Sequence, residues 1–265
     1  MDLELNGKHV LISGGSKGIG QACAFGFLKE GARVSLLSRD PTNLQRAAQN
    51  LSAAVPDAAG RIATQAVDLK DAPAAIAALD AAEAAHGPVD ILVNSAGAAK
   101  RTPPAELTAQ SYLDAMQAKY FTYVHLMDPV VKRMAARGRG VIVNVIGAGG
   151  KVASPVHLPG GAANAALMLV SAGLAAAYGA QGVRVNAVNP GPTLTDRLKE
   201  GMTAEARLNK VSEDEAMKNA TAKLPLGRIA EPSEIADAVM FLASARASYI
   251  TGAILAMDGA VVPMI

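Results

Sequence analysis

The 265 residues include no tryptophan, four phenylalanines, five tyrosines and a single cysteine. One thiol, Cys23, rules out an internal disulfide, and with it the disulfide-stapled class of secreted domains. With so few aromatics, the core has to be assembled from Ala, Val, Leu and Ile, which a chain that is 51% apolar supplies in quantity. Charged residues make up only 18% and balance to a formal +2, with no long block of one sign. That argues against a nucleic-acid footprint or an anionic-membrane patch and in favour of a small-molecule partner. No uninterrupted apolar run reaches about 18 residues without a charge or a break. The Ala-rich stretch from Ala162 to Ala180 comes nearest and is read as a buried helix. The start Met-Asp-Leu-Glu-Leu-Asn has neither a basic nor an apolar leader pattern, so the expected location is cytoplasmic.

What is present is an alternation of short β-branched runs with longer helical patterns. The strand candidates are His9 to Ser13, Arg33 to Leu37, Arg61 to Val67, Val89 to Val93, Gly140 to Val145, Val183 to Val188 and Ala253 to Met257. Such alternation predicts an α/β fold: one doubly wound, Rossmann-type parallel sheet of about seven strands with helices on both faces. No repeat or linker divides it, so residues 1–265 are read as one domain. Residues 196–223 break the rhythm with mixed charge and no strand, just after a Pro-Gly turn. A substrate lid and a plain surface helical pair both fit that segment.

Directly after the first strand comes Gly14-Gly-Ser16-Lys17-Gly18-Ile19-Gly20, opening a helix. Glycines there permit a tight turn, let the backbone approach a pyrophosphate and aim the positive helix end at it. The G-x-x-x-G-x-G spacing, with Asp68-Leu69, Asn94-Ser-Ala96-Gly97, Asn189-Pro190-Gly191-Pro-Thr193-Leu-Thr195 and the C-terminal run from Leu224 to Gly259, resembles the short-chain dehydrogenase/reductase family along nearly the whole chain. The resemblance implies a nicotinamide cofactor. Asp68 would border the adenine, the turn at Asn94, Ala96 and Gly97 would support the fourth strand and the cleft, and Thr195 would lie near the nicotinamide. Cofactor choice follows from charge, since an acid ending the second strand would repel a ribose 2′-phosphate. Here that end reads Leu37-Ser38-Arg39, and Lys17 and Arg39 could clamp the phosphate, predicting NADP(H) over NAD(H). Asp40 is the dissenting charge, since it would favour NAD if it swung inward.

The same resemblance places a serine, a tyrosine, a lysine and an asparagine at the chemical end. This sequence has Gly147, Gly160, Asn164 and Lys119 at those positions. Lysine and asparagine look exchanged between two helices, which would keep a cation and an amide in one cleft. His157, three residues before Gly160, suits acid/base work near neutral pH, so a His157 proton donor assisted by Lys119 is the expectation, with Asn164 alongside. The bland alternative is an exposed loop histidine and a snorkelling lysine. Tyr120 is a lesser acid candidate, and Ser154 reads as a loop hydroxyl. Histidines 9, 86 and 125 lack ligand spacing, so no metal is expected. Lys132, Arg133, Arg137 and Arg139 read as charges at a helix end with no partner.

These observations predict an NADP(H)-dependent oxidoreductase acting on a carbonyl or alcohol with a non-standard acid/base set. Two alternatives stand beside it: an inactive nucleotide-binding subunit or NADPH sensor, and a non-redox isomerase or lyase. The resemblance also implies a homodimer or homotetramer, or a hetero-oligomer with an active family member.

Overall fold

The computed structural model describes residues 2–97 and 99–262. Among them, seven strands form one all-parallel sheet: β1 (His9–Ser13), β2 (Arg33–Ser38), β3 (Ile62–Ala66), β4 (Ile91–Asn94), β5 (Gly140–Val145), β6 (Val183–Pro190) and β7 (Ile254–Met257). Their spatial order is β3-β2-β1-β4-β5-β6-β7. The order reverses between β1 and β4, where crossovers leave in opposite directions and open a crevice at the carboxyl ends of the strands.

The helices are α1 (Gly18–Lys29), α2 (Pro41–Ala54), α3 (Ala72–His86), α4 (Ala109–Ala115), α5 (Thr122–Ala136), α6 (Leu158–Tyr178), α7 (Asp196–Asn209), α8 (Glu213–Ala222) and α9 (Pro232–Ala243). Strand periodicity sends alternate residues to opposite layers. Val10 and Ile12 of β1 join Phe27 and Leu28 of α1 and Ile235 and Val239 of α9, while Leu11 joins Leu79 of α3, Met127 of α5 and Leu167 of α6. Each such leucine or isoleucine, fully buried, contributes about 1.5–3 kcal/mol.

A buried polar chain crosses the sheet just behind the crevice. Ser13 Oγ donates to Asn94 Oδ1, Asn94 Nδ2 to Asn144 Oδ1, and Asn144 Nδ2 to Ser171 Oγ, at 3.1, 3.0 and 2.9 Å. It ties the ends of β1, β4 and β5 to α6, fixing the floor on which a ligand would rest.

Helix α6 departs from expectation. Its inner face, with Ala163, Asn164, Leu167, Ser171 and Ala175, is buried, but Leu169 on the outer face is 76% exposed. The segment Pro155–Gln181 is long and apolar enough to cross a membrane, yet one face of it packs on the sheet. The expected buried helix is therefore buried on one side only: the Ala-rich composition suits two apolar faces, and the monomer covers one. Residues 196–223 fold as α7 and α8 over an apolar cluster of their own, which includes Leu198, Met202, Ala206, Ala216 and Leu224.

Candidate active site

A cleft of about 730 Å³ runs along the carboxyl ends of the strands from the β2 end to the start of α7. Gly14, Ser16, Lys17, Gly18 and Ile19 form its floor. Gly14 has φ +69°, and a Cβ on it would stand 2.8–2.9 Å from the backbone of Ser95 and Ala96. Only glycine lets the first turn close against the fourth-strand loop, and the Gly14 and Gly15 N–H groups donate to the Leu37 carbonyl at 2.8 and 3.3 Å, pinning the turn to β2. Ser38, Arg39, Asp68, Leu69, Ala96, Gly97 and Thr195 also line it. The remaining expected contacts stand behind: Gly20 packs α1 against the Gly14 carbonyl, Asn94 braces the sheet, and Pro190, Gly191 and Thr193 shape the turn after β6. This concave cradle of turn and helix N-terminus fits a dinucleotide.

At the β2 end, Ser16 Oγ donates to Ser38 Oγ at 2.9 Å. Lys17 and Arg39 line the cleft there, together with Arg46 of α2, a third cation that the sequence reading missed. Arg46 is anchored by donating to Asn43 Oδ1 at 2.6 Å. Asp40 does not face the cleft. Its carboxylate caps α2, accepting from the backbone N–H groups of Thr42 and Asn43 at 2.8 and 3.1 Å and from Asn43 Nδ2 at 2.7 Å. A carboxylate engaged at its own helix N-terminus is held there by the dipole as well.

The chemical end forms around residues 145–149, where β5 stops. Met116–Phe121, between α4 and α5, is a π-helical turn, and it aims Lys119 inward. The Lys119 ammonium donates to Tyr123 Oη at 2.8 Å and to the Val145 carbonyl at 3.3 Å, while Tyr123 Oη donates to the same carbonyl at 2.6 Å. Tyr123 is fully buried, so this lysine is no snorkelling surface residue. Gly97, at φ +114°, leaves room for its stem, since a Cβ there would lie 2.6 Å from Lys119 Cδ. Burial, and then the charge of Arg197, push the Lys119 pKa down to about 7. Burial pushes the Tyr123 phenol up, so it stays protonated.

From the other side come His157, at the N-terminus of α6, and Asn164, about two turns further along. Asn164 Nδ2 stands 3.3 Å from where a Gly147 Cβ would be, and the His157 ring covers Gly160 so closely that a Cβ there would lie 2.1 Å from Cε1. The imidazole thus fills the space that a side chain at 160 would enter, and it is half-buried, unlike an exposed loop histidine. His157 Nδ1 and Asn164 Oδ1 are buried and have no hydrogen-bond partner among the described residues. A buried polar atom left so costs about 1–3 kcal/mol, the kind of arrangement a binding site tolerates. Burial, then Arg101, Arg197 and Lys119, lower the His157 pKa to about 4. The imidazole is therefore neutral at pH 7, and the expected imidazolium donor is not the form these surroundings favour. Tyr120 packs edge-on against Phe121, and burial drives the Cys23 thiol up to about 12. No group of metal-binding side chains occurs among the described residues.

A family model described as enoyl-(acyl carrier protein) reductase matches residues 14–261. The chain belongs to the short-chain dehydrogenase/reductase family. It is 38% identical over 257 residues to a galactitol 2-dehydrogenase of Cereibacter sphaeroides, covering 96% of this chain and 95% of that one. The L-sorbose reductase of Gluconobacter frateurii, solved with NADPH and L-sorbose, superposes with a TM-score of 0.90 at 29% identity over the full length of both chains. A short-chain oxidoreductase of Pseudomonas aeruginosa, solved with NADPH and described as having an atypical catalytic center, superposes at 0.86 with 28% identity, covering 97% of this chain and 98% of that one. Such relatives place this short-chain dehydrogenase/reductase among the oxidoreductases.

Proposed function

We propose that the protein interconverts a carbonyl and an alcohol using NADP(H), with Lys119 as the proton donor and acceptor. The observation that carries the reading is the hydrogen bonding of Lys119. Two donors reach Tyr123 Oη and the Val145 carbonyl. An ammonium has three donors, so one N–H remains for a substrate, and the stem that carries it lies against Gly97, which lines the cleft; the neutral amine would offer its lone pair instead. With a pKa of about 7, both forms are populated at neutral pH, which suits a group that gives a proton in one direction and takes it in the other. The unpartnered His157 Nδ1 and Asn164 Oδ1 bind and orient the substrate's oxygen-bearing groups.

The turn Gly14–Gly20 would hold the pyrophosphate, and Lys17, Arg39 and Arg46 the 2′-phosphate, which favours NADP(H) over NAD(H). When bound, the nicotinamide supplies or accepts the hydride. Helices α7 and α8, hinged after Thr195, close over the cleft as a lid. The uncovered apolar face of α6 supports assembly into a homodimer or homotetramer.

Calorimetry with NADPH and NADH, followed by a carbonyl panel on wild type and Lys119→Ala, tests the reading. NADPH binding with turnover lost in the variant is expected. Binding without turnover of any carbonyl would instead indicate an inactive nucleotide-binding subunit.

A further inference from the structure

Arg101 lies in the loop between β4 and α4. The Thr102 N–H donates to the Val156 carbonyl at 3.0 Å, which holds this stretch beside the loop carrying His157. On the other side the guanidinium rests on Gly201 of α7, where a Cβ would come within 3.0 Å of Nε and 3.2 Å of Cδ and Cζ. The lid helix is thus cut away by one glycine to admit an arginine. Neighbouring arginines are matched: Arg197 pairs with Glu200 and donates to the Ala99 carbonyl at 2.7 Å, and Arg207 pairs with Glu106. Arg101 makes no ion pair and no side-chain hydrogen bond among the described residues. It is half-buried, and burial, then Arg197, lower its pKa against weaker help from Glu205 and Glu200.

A partly desolvated guanidinium without a counter-charge is unfavourable, and the favourable completion is an anion with two oxygens in a plane. The cofactor does not supply it. Arg101 does not line the dinucleotide cleft, and the cations suited to a 2′-phosphate, Lys17, Arg39 and Arg46, stand at its far end. His157 is instead near enough to Arg101 for that charge to lower its pKa, and its Nδ1 is buried without a partner among the described residues.

We propose that Arg101, with Arg197 beside it, binds a carboxylate or phosphate carried by the substrate, so that the enzyme acts on oxo acids, hydroxy acids or phosphorylated carbonyl compounds in preference to neutral ones. This rests on the carbonyl–alcohol reading above. Gly201 sets the depth of the anion site.

The test uses the NADPH-saturated protein titrated calorimetrically with malonate and with inorganic phosphate, for wild type, Arg101→Gln and Arg101→Lys. The expected result is an anion affinity about 10–100-fold weaker in Arg101→Gln, intermediate in Arg101→Lys, and an unchanged affinity for NADPH. The stronger of the two anions tells carboxylate from phosphate. Failure of both anions to bind wild type, equal binding by Arg101→Gln, or a parallel loss of NADPH affinity would each overturn the proposal. If Arg101→Gln does not fold, Arg101→Lys alone must show weaker anion binding at constant NADPH affinity. Turnover is read separately with 4-oxopentanoate against its methyl ester, and with dihydroxyacetone phosphate against dihydroxyacetone. Arg101-dependent anion binding without turnover of any of these sinks the proposed reaction and leaves the anion site standing.

Discussion

Replacing Lys119 with methionine should make the protein more stable and nearly inactive. The lysine pKa falls from 10.5 to about 7 on folding, first through burial and then through Arg197, with His157 and the Tyr123 phenol also facing it. Because the folded value is the lower one, the unfolded chain binds more protons between these limits, and wild-type stability rises with pH across that window. At 1.36 kcal/mol per pH unit the lysine destabilises the fold by about 4 kcal/mol at pH 7, and by about 2 kcal/mol at pH 9. Methionine removes that burden but forfeits two hydrogen bonds worth about 1 kcal/mol each. The expected net gain is about 2 kcal/mol at pH 7, or roughly 4–8 °C in Tm, shrinking toward zero at pH 9. Thermal unfolding of both proteins at the two pH values measures this, and NADPH oxidation should fall about 10²–10⁴-fold in the variant. A variant that melts below wild type at pH 7, keeps the wild-type pH slope or turns over normally would refute the assignment.

Arg39→Ala should weaken NADPH binding far more than NADH binding by calorimetry; equal losses would remove the 2′-phosphate clamp. Asp40→Ala should cost about 1 kcal/mol by denaturant melts through loss of the α2 cap, while the NADPH-to-NADH affinity ratio stays as it was. If that ratio shifts, the carboxylate reaches the ribose after all. Carbonyl reduction should decline as pH rises through about 7 and alcohol oxidation should rise through the same midpoint, with His157, held near 4, adding no inflection above pH 5. Steady-state profiles in both directions check this. Gly160→Ala should expel the imidazole, destabilising by about 1–3 kcal/mol and impairing turnover; normal melting and rates would mean the ring is easily moved.

The sheet was legible because parallel strands buried on both faces are runs such as His9-Val-Leu-Ile-Ser13, with little ambiguity of period. Boundaries drifted in both directions: β6 continues through Asn189 and Pro190 on its pairing with β7, whereas β4 starts at Ile91 instead of Val89 and β3 covers only Ile62–Ala66 of the expected Arg61 to Val67. The glycine turn was legible because its chemistry is local. Arg46 was hidden by the unknown phase of α2, which Asp40 and Pro41 set. Lys119 could be located but not oriented, since a π turn rotates the face that a 3.6-residue period assigns. Arg101 sits in a loop, where spacing says nothing about direction, and its neighbour Gly201 is 100 residues away. The packing of His157 on Gly160 has no sequence signal beyond the pairing of a histidine with a glycine one turn later.

That last contact binds two positions into one unit of inheritance. A mutation giving residue 160 any side chain meets the imidazole at 2.1 Å, and loss of His157 alone leaves a hollow over bare backbone. Each single step away from the pair should be harmful, so a lineage that carries both residues is held there unless both change at once. Positions 157 and 160 should therefore vary together among relatives of this chain, or not at all.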